Sequence, residues 1–320
     1  VKLMAQRSWA RDEPLAMLEL PTPPPRADEV RVAVKAIGVN PVDWKLRTLG
    51  PLRLAARLFG PPAPMVPGVD FAGVVDAVGA GAGGFAPGDR VVGGTDFLRG
   101  QRGSYADTVF VRPAQLCPLP PGIDFETAAA LPVAGITAWL SVVEIGRLAA
   151  EERALVLGAS GGVGQLAVQI AKRVCGGFAV GVCSGKNAEL VRGLGADAVL
   201  DYQQGDPLAR AKPLGPYRVV VDCVGSYPGP GCRALLVRGG RHVIVSGESL
   251  GVPAQLLVPP FSSRVVLARV TRARLEPVVA AVAAGQIRVN LAGRFPLAQA
   301  EQAHALSRTG RVTGKLVLVP

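Results

Sequence analysis

Histidine is almost missing from this 320-residue chain, occurring only at His242 and His304. Cysteine occurs five times, at Cys117, Cys175, Cys183, Cys223 and Cys232, and no two form a C-x-x-C pair. Zinc needs clustered Cys, His and carboxylate ligands, and neither a four-cysteine structural site nor a catalytic ligand set can be assembled from this spacing. The cysteines lie in or beside apolar runs, which predicts reduced, buried thiols in a reducing compartment. Uninterrupted apolar stretches of about 18 residues are also missing, so no membrane-spanning helix is expected, although 49% of the residues are hydrophobic. Acidic residues are outnumbered, 24 against 35 Lys and Arg, for a net charge of +11. Such a balance points towards nucleic acid or anionic lipid. The arginines are scattered, however, and the one dense patch, residues 264–274, has no aromatic interleaving. Specific nucleic-acid binding is therefore set aside, and peripheral contact with an anionic membrane is kept as an expectation.

What the chain does have is punctuation: 40 glycines and 28 prolines, spread between short elements. Residues 1–121 read as short strands between Gly/Pro turns, among them 30–36, 70–78 and 89–93, the spacing of a compact β-rich domain. Residues 125–145 read as helix, with Asp124 as its N-cap. From Ala154 the rhythm changes to alternation. Strands are predicted at 154–157, 178–183, 198–201, 218–223 and 241–246, and helices at 163–174, 187–194 and 230–237. Alternation of this kind specifies a doubly wound parallel sheet. The last helix of that layer is placed at 275–284, and the tail, 314–319, is a strand expected to return to the first domain.

The sharpest motif is Gly158-Ala159-Ser160-Gly161-Gly162-Val163-Gly164, between an apolar strand and an amphipathic helix, the context that a dinucleotide fingerprint requires. Gly161 lets the backbone approach a pyrophosphate, Gly164 lets the helix pack close, and the helix start offers N–H groups to phosphate. An NAD site carries Asp or Glu about 20 residues beyond the glycines, for the ribose 2′-hydroxyl. Here that strand ends in Ser184-Gly185-Lys186, a hydroxyl and a cation, which suit a 2′-phosphate and so NADPH.

The wording Ala159-Ser160-Gly161-Gly162-Val163-Gly164-Gln165 resembles the zinc-free quinone oxidoreductase (zeta-crystallin-like) branch of the medium-chain dehydrogenase/reductase superfamily. So do Asn40-Pro41-Val42-Asp43-Trp44-Lys45, Pro67-Gly68-Val69-Asp70-Phe71-Ala72-Gly73, Leu131-Pro132-Val133-Ala134-Gly135-Ile136-Thr137 and Thr313-Gly314-Lys315-Leu316. Within the branch, the wording is most similar to the plant and microbial enone reductases, chloroplast-envelope homologues included. The resemblance implies an α/β chain with a GroES-like β-rich catalytic domain, residues 1–121 and 288–320, and a Rossmann doubly wound domain, residues 122–287. It places Thr137 near the nicotinamide, Ser160, Gly161, Gly162 and Val163 about the pyrophosphate, and Ser184, Lys186 and Tyr202 about the 2′-phosphate and ribose. Val224 and Gly225 would follow the fourth strand of the cofactor cleft, and Ser246 and Gly247 the fifth. Asn40 replaces the zinc enzymes' Cys-containing stretch, and Asp70-Phe71-Ala72-Gly73 their Gly-His-Glu, so no metal is expected.

The implied reaction is hydride transfer from NADPH to quinones or to the conjugated double bond of α,β-unsaturated carbonyls, which needs less Lewis-acid help than reduction of a simple ketone. Residues 40–45 are expected to form a turn that carries the polar groups, and Asn40 is its candidate donor to the carbonyl oxygen. Lys45 is the candidate positive charge or proton relay, with Asp43 to orient it. Tyr105 is a weaker candidate acid, and both histidines read as structural. The alternative is an NADPH-binding protein with a structural or regulatory role and little turnover. A homodimer in the cytoplasm or an organelle stroma completes the expectation.

Overall fold

The computed structural model describes residues 1–8, 13–48, 50–245 and 263–320. The chain divides into two units: Val1–Val133 with Arg269–Ala283 and Leu291–Pro320, and Ala134–Ala268 with Ala284–Asn290.

In the first unit, alternating valines make the strand Val30–Val39, with Val30, Val32 and Val34 buried and Lys35 exposed. It sits inside a seven-stranded sheet in the order Leu291–Pro296, Lys315–Val319, Val30–Val39, Asp70–Val78, Arg90–Gly94, Leu116–Pro118, while Thr108–Val111 also pairs with Val30–Val39. The C-terminal strand thus closes the sheet, antiparallel to Val30–Val39 and parallel to Leu291–Pro296. The apolar side chains of these strands, Phe71, Val91, Leu116 and Leu318 among them, form one core with Leu297, Ala300 and Ala303.

The helix Arg272–Ala283 belongs to this unit and not, as its sequence position suggested, to the α/β layer. The reason is local fit. Gly94 has no side chain, and a Cβ there would stand 2.8 Å from Val270 Cγ2. Arg269 Nε donates to Asp96 Oδ2 at 3.0 Å, and Leu275 and Val278 are fully buried. Residues 122–133 likewise group with the first unit, so the division falls later than residue 121.

The second unit is a six-stranded, all-parallel sheet in the order Ala198–Asp201, Phe178–Cys183, Arg153–Leu157, Tyr217–Asp222, Leu236–Ile244, Ser263–Val265. Numbered along the chain this is 3-2-1-4-5-6, the doubly wound order in which strand direction of winding reverses between the first and fourth strands. Leu155, Leu157, Val180, Val182 and Val220 are its buried centre. Asp124 does cap the helix Phe125–Ala129, accepting from Thr127 N at 2.8 Å. The single helix predicted over 125–145 is three pieces, however. Proline has no N–H to continue a helix, and Pro132 instead opens a second helix, Pro132–Trp139, which runs on as a π-helical turn, Leu140–Ile145. The helix predicted at 230–237 is only Gly229–Arg233, because the fifth strand starts early, at Leu236. Among the described residues, no helix is long and apolar enough to cross a membrane.

Candidate active site

In the second unit, the first strand ends at Leu157 and the chain turns through Gly158, which has φ +78°, into the helix Gly164–Gln169 and its π-helical continuation Ile170–Val174. A Cβ on Gly164 would stand 2.1 Å from the Gly158 carbonyl oxygen, so only glycine closes this bend. Val163 provides no side-chain cap, and uncapped N–H groups with the positive end of the helix dipole favour an anion. The bend lies at the switch point of the strand order: Gly158 is 3.0 Å, measured from its absent Cβ, from Val224 Cγ2. Opposite it, Asp222 Oδ1 accepts from Val224 N at 3.0 Å and Gly225 N at 2.8 Å and fixes that turn. Burial raises the Asp222 carboxyl above its ordinary pKa, and the backbone donors pull it back. Asp222 was not singled out from sequence; a buried Asp closing the fourth strand is the signal.

The second strand ends at Cys183, and Ser184 behind it is 7% exposed while Lys186 is exposed. Asn187 Nδ2 donates to Ser160 Oγ at 3.0 Å, tying the end of this strand to the glycine bend. Tyr202 is half exposed just beyond the third strand. Asp201 brings a carboxylate nearby, 2.6 Å from where a Gly185 Cβ would be, and it caps Gln203 N at 2.9 Å. Thr137 is buried, 5% exposed, and its carbonyl accepts from Ser141 Oγ. Ser160, Gly161, Gly162, Val163, Gly164, Ser184, Lys186 and Tyr202 therefore gather along the C-terminal edge of one sheet, with Val224 and Gly225 across the switch point. Ser246 and Gly247 lie outside the described residues. The glycine bend that a Cβ would fill, with its uncapped helix start, fits the pyrophosphate of a nicotinamide dinucleotide.

In the first unit, Asn40 and Asp43 open the helix Pro41–Thr48 in place of the expected turn. Pro41 takes the first helical position, where its missing N–H costs nothing. Asp43 Oδ2 reaches back to accept from Asn40 N at 2.7 Å, and Asp43 N donates to Asn40 O at 3.0 Å. The Asn40 side chain is bound at both ends. Its Oδ1 accepts from Lys315 Nζ at 2.5 Å, and its Nδ2 donates to Asp70 Oδ2 at 2.8 Å. Lys315 Nζ also donates to Val39 O, and Asp70 Oδ1 accepts from Val133 N. Asn40, Asp43, Asp70 and Lys315 are all under 5% exposed. Lys45 Nζ lies 5.5 Å from the Trp44 ring centroid, and the ammonium that bonds the Asn40 side chain is that of Lys315. Sequence reasoning missed Lys315, which is 275 residues from Asn40 and inside an otherwise apolar strand; a buried lysine in such a strand is the signal that it has a partner.

Burial pushes Asp43 up to about 7, with Asp70 adding to the rise and the Asn40 N–H and Lys315 opposing it. Burial takes Asp70 to about 6 against the pull of Lys315 and Asn40. Lys315 is lowered by burial and supported by both carboxylates. Two carboxyls thus face one ammonium. A donor set with an ammonium and an amide at its centre does not fit zinc, and among the described residues no group of three His, Cys, Asp or Glu could hold a metal ion.

Comparison with known proteins bears on both halves. A family described as "Alcohol dehydrogenase GroES-like domain" matches residues 26–121, and one described as "Zinc-binding dehydrogenase" matches residues 194–318. The chain is 32% identical to the chloroplast envelope quinone oxidoreductase homolog of Arabidopsis thaliana, over 96% of this chain and 94% of that protein. The chain belongs to the medium-chain dehydrogenase/reductase superfamily, with the quinone oxidoreductases. Within this superfamily it is also 32% identical to the 2-methylene-furan-3-one reductase of Solanum lycopersicum, over 92% of this chain and 72% of that one. Its fold is similar to the quinone oxidoreductase of Coxiella burnetii, with TM-score 0.89, 27% identity, and coverage of 100% and 99%. It is similar as well to the Escherichia coli quinone oxidoreductase solved with NADPH, with TM-score 0.84, 28% identity and full coverage of both chains. Superfamily membership and the glycine bend make the chain an oxidoreductase with a nicotinamide cofactor.

Proposed function

We propose that the chain is an NADPH-dependent reductase of quinones and α,β-unsaturated carbonyls that works without zinc. The observation that carries the reading is the glycine bend at the switch point of a 3-2-1-4-5-6 sheet, beside a second strand whose own tip offers Ser184 and Lys186, the Asp201 carboxylate of the next strand being engaged by Gln203 N. When bound, the dinucleotide supplies a hydride. Ser160, Gly162 and Val163 would hold its pyrophosphate through backbone N–H groups, with Gly161, whose own N–H donates to Gly158 O at 3.0 Å, and Gly164 permitting the close approach. Lys186, Ser184 and Tyr202 hold the 2′-phosphate, Thr137 supports the nicotinamide, and Val224 and Gly225 line the cleft after the fourth strand.

A quinone or enone that accepts hydride develops negative charge on its carbonyl oxygen. An amide has two N–H donors. Asp70 takes one from Asn40, and in this reading the other meets the developing oxyanion. Lys315 on Asn40 Oδ1 polarises the amide and makes it a better donor. Donors fixed before the reaction act without reorganisation, which is where such stabilisation comes from. Asp43 keeps Asn40 in place by accepting from its N–H, and Lys45, on the same helix, contributes positive charge. Nucleotide titration followed by NADPH oxidation against a panel of quinones and enones tests the reading. The expected result is binding with turnover that Asn40→Ala lowers by about 100-fold or more at unchanged NADPH affinity. No affinity for either pyridine nucleotide would end it.

A further inference from the structure

Beyond Asp43 the buried hydrogen bonds continue. Tyr105 Oη donates to Asp43 Oδ2 at 3.2 Å. Tyr105 Oη and His304 Nε2 are 2.9 Å apart, His304 Nδ1 and Arg47 NH1 are 3.0 Å apart, and Arg47 NH2 donates to Glu301 Oε1 at 2.6 Å and to Glu13 O at 3.0 Å. Tyr105 and His304 are fully buried and Arg47 is 4% exposed.

We propose that Arg47, His304 and Tyr105 are positioning residues for the Asn40 turn: a one-way chain of hydrogen bonds fixes Asp43 as an acceptor and so holds Asn40 between Lys315 and Asp70. The inference rests on the reading of Asn40 as the group that meets the substrate. The direction of the chain follows from donor chemistry. A guanidinium only donates, so His304 Nδ1 accepts. The imidazole is neutral, its pKa pushed down to about 3 by burial and by Arg47, and its one proton sits on Nε2. That proton is donated to Tyr105 Oη. With its oxygen occupied as an acceptor, the Tyr105 hydroxyl turns its own hydrogen to Asp43 Oδ2, where Asn40 N–H also points. Oδ2 is therefore closed to protonation, and Oδ1, buried and without a hydrogen-bond partner, is the only oxygen that can take a proton. Arginine does not release its proton at any working pH, so the chain is a strut and not a proton channel. Around Asp43 stand Asn40 and Arg47 from its own helix and its start, Asp70, Lys315, Tyr105, and His304 with Glu301 behind it.

The test is an infrared titration of the buried carboxyl C=O stretch in the full-length protein, without substrate. Tyr105→Phe removes one donor from the charged carboxylate, and the Asp43 midpoint should rise by about one unit, the size expected for a charge-assisted hydrogen bond. His304→Leu frees the tyrosine hydroxyl to turn away and should move the midpoint in the same direction. His304→Gln, whose Oε1 accepts from Arg47 and whose Nε2 donates to Tyr105, should restore the original midpoint. The acid limb of kcat/KM should follow the same order, with NADPH affinity constant across the set. Tyr105→Phe and a folded His304→Leu that titrate with the unchanged protein would overturn the proposal, and so would His304→Gln titrating with His304→Leu. A parent protein that reduces no quinone or enone would instead remove the reading of Asn40, while the carboxyl titration still decides whether the chain governs Asp43.

Discussion

At the scale of single residues, Lys186 and Gly164 carry separable demands. Lys186 is exposed beside the buried Ser184, so its replacement should leave the fold alone. A charge-assisted hydrogen bond to phosphate contributes about 1.5–3 kcal/mol, and Lys186→Glu should lower the ratio of NADPH to NADH affinity by about 10-fold to 100-fold, read by cofactor fluorescence. An unchanged ratio would remove Lys186 from the site. Gly164 is different, because the atom that a Cβ would strike, 2.1 Å away, is backbone. Gly164→Ala should cost about 1–3 kcal/mol of stability through overpacking and should weaken binding of both nucleotides alike, since it opens the bend that both share. Denaturant unfolding and titration of the same sample check the two halves of that expectation. The glycine motif was readable because its chemistry is local. The partners of Asn40 were not: Lys315 and Asp70 reach it from distant strands, and no local pattern announces which lysine a sheet will carry inwards.

At the scale of elements, the strands were read better than the helices. Phe178–Cys183, Ala198–Asp201 and Asp70–Val78 agree with their sequence patterns, because short runs rich in Val and Ala start or stop beside a Gly or an Asp, at Gly177, Asp197 and Gly79. The start of the helix Pro41–Thr48 has the sequence of a turn, since Asn-Pro is a common turn opening. What marks it as a helix is Asp43 three residues after Asn40, a reciprocal cap of the kind in which a third-position acceptor returns to the first N–H. Loss of such a cap costs about 1 kcal/mol. Asp43→Ala should therefore lower stability by at least that amount and displace Asn40 as well, so that kcat falls while the nucleotide-binding unit keeps its affinity. Conversely, the helix Arg272–Ala283 was easy to find and hard to assign, because its apolar stripe fits any sheet and only the cleared surface at Gly94 selects one.

At the scale of the whole molecule, the raised carboxyls reverse an ordinary trend. Asp124 and Glu301 have lowered pKa values, held down by Thr127 donors in one case and by Arg47 in the other against the cost of burial. Their contribution is present above the unfolded pKa and is lost as pH falls. Asp43 and Asp70, at about 7 and about 6 in the folded chain against 3.8, bind protons more tightly folded than unfolded. Their contribution is greatest at low pH and declines as pH rises through those values, since stability falls with pH wherever the native state holds more protons. His242 and His304, whose pKa values burial pushes down to about 4 and about 3 from 6.5, oppose that decline on the acid side of 6.5, so the carboxyls' share of the pH slope in denaturant midpoints is read against a variant. Asp70→Asn, which leaves one carboxyl to one ammonium, should make the change in midpoint from about pH 5 to neutrality more positive than in the unchanged protein. An Asp70→Asn midpoint that follows the unchanged protein over the same interval would contradict the buried cluster.

Two buried glutamines bear on how the molecule can be cut. Gln165 bonds both the N–H and the carbonyl of Asn290, and Gln169 does the same to Arg288, so the helix that starts at the glycine bend grips a passing stretch of main chain as a neighbouring strand would. A fragment that stops at residue 268 would take these main-chain partners from both amide side chains, leaving Gln169 Nε2 its bond to Gln165 O. Anyone wishing to produce the nucleotide-binding half by itself has to splice residues 284–290 back on, and a graft of this half into another enzyme must carry that short return segment as part of the cartridge.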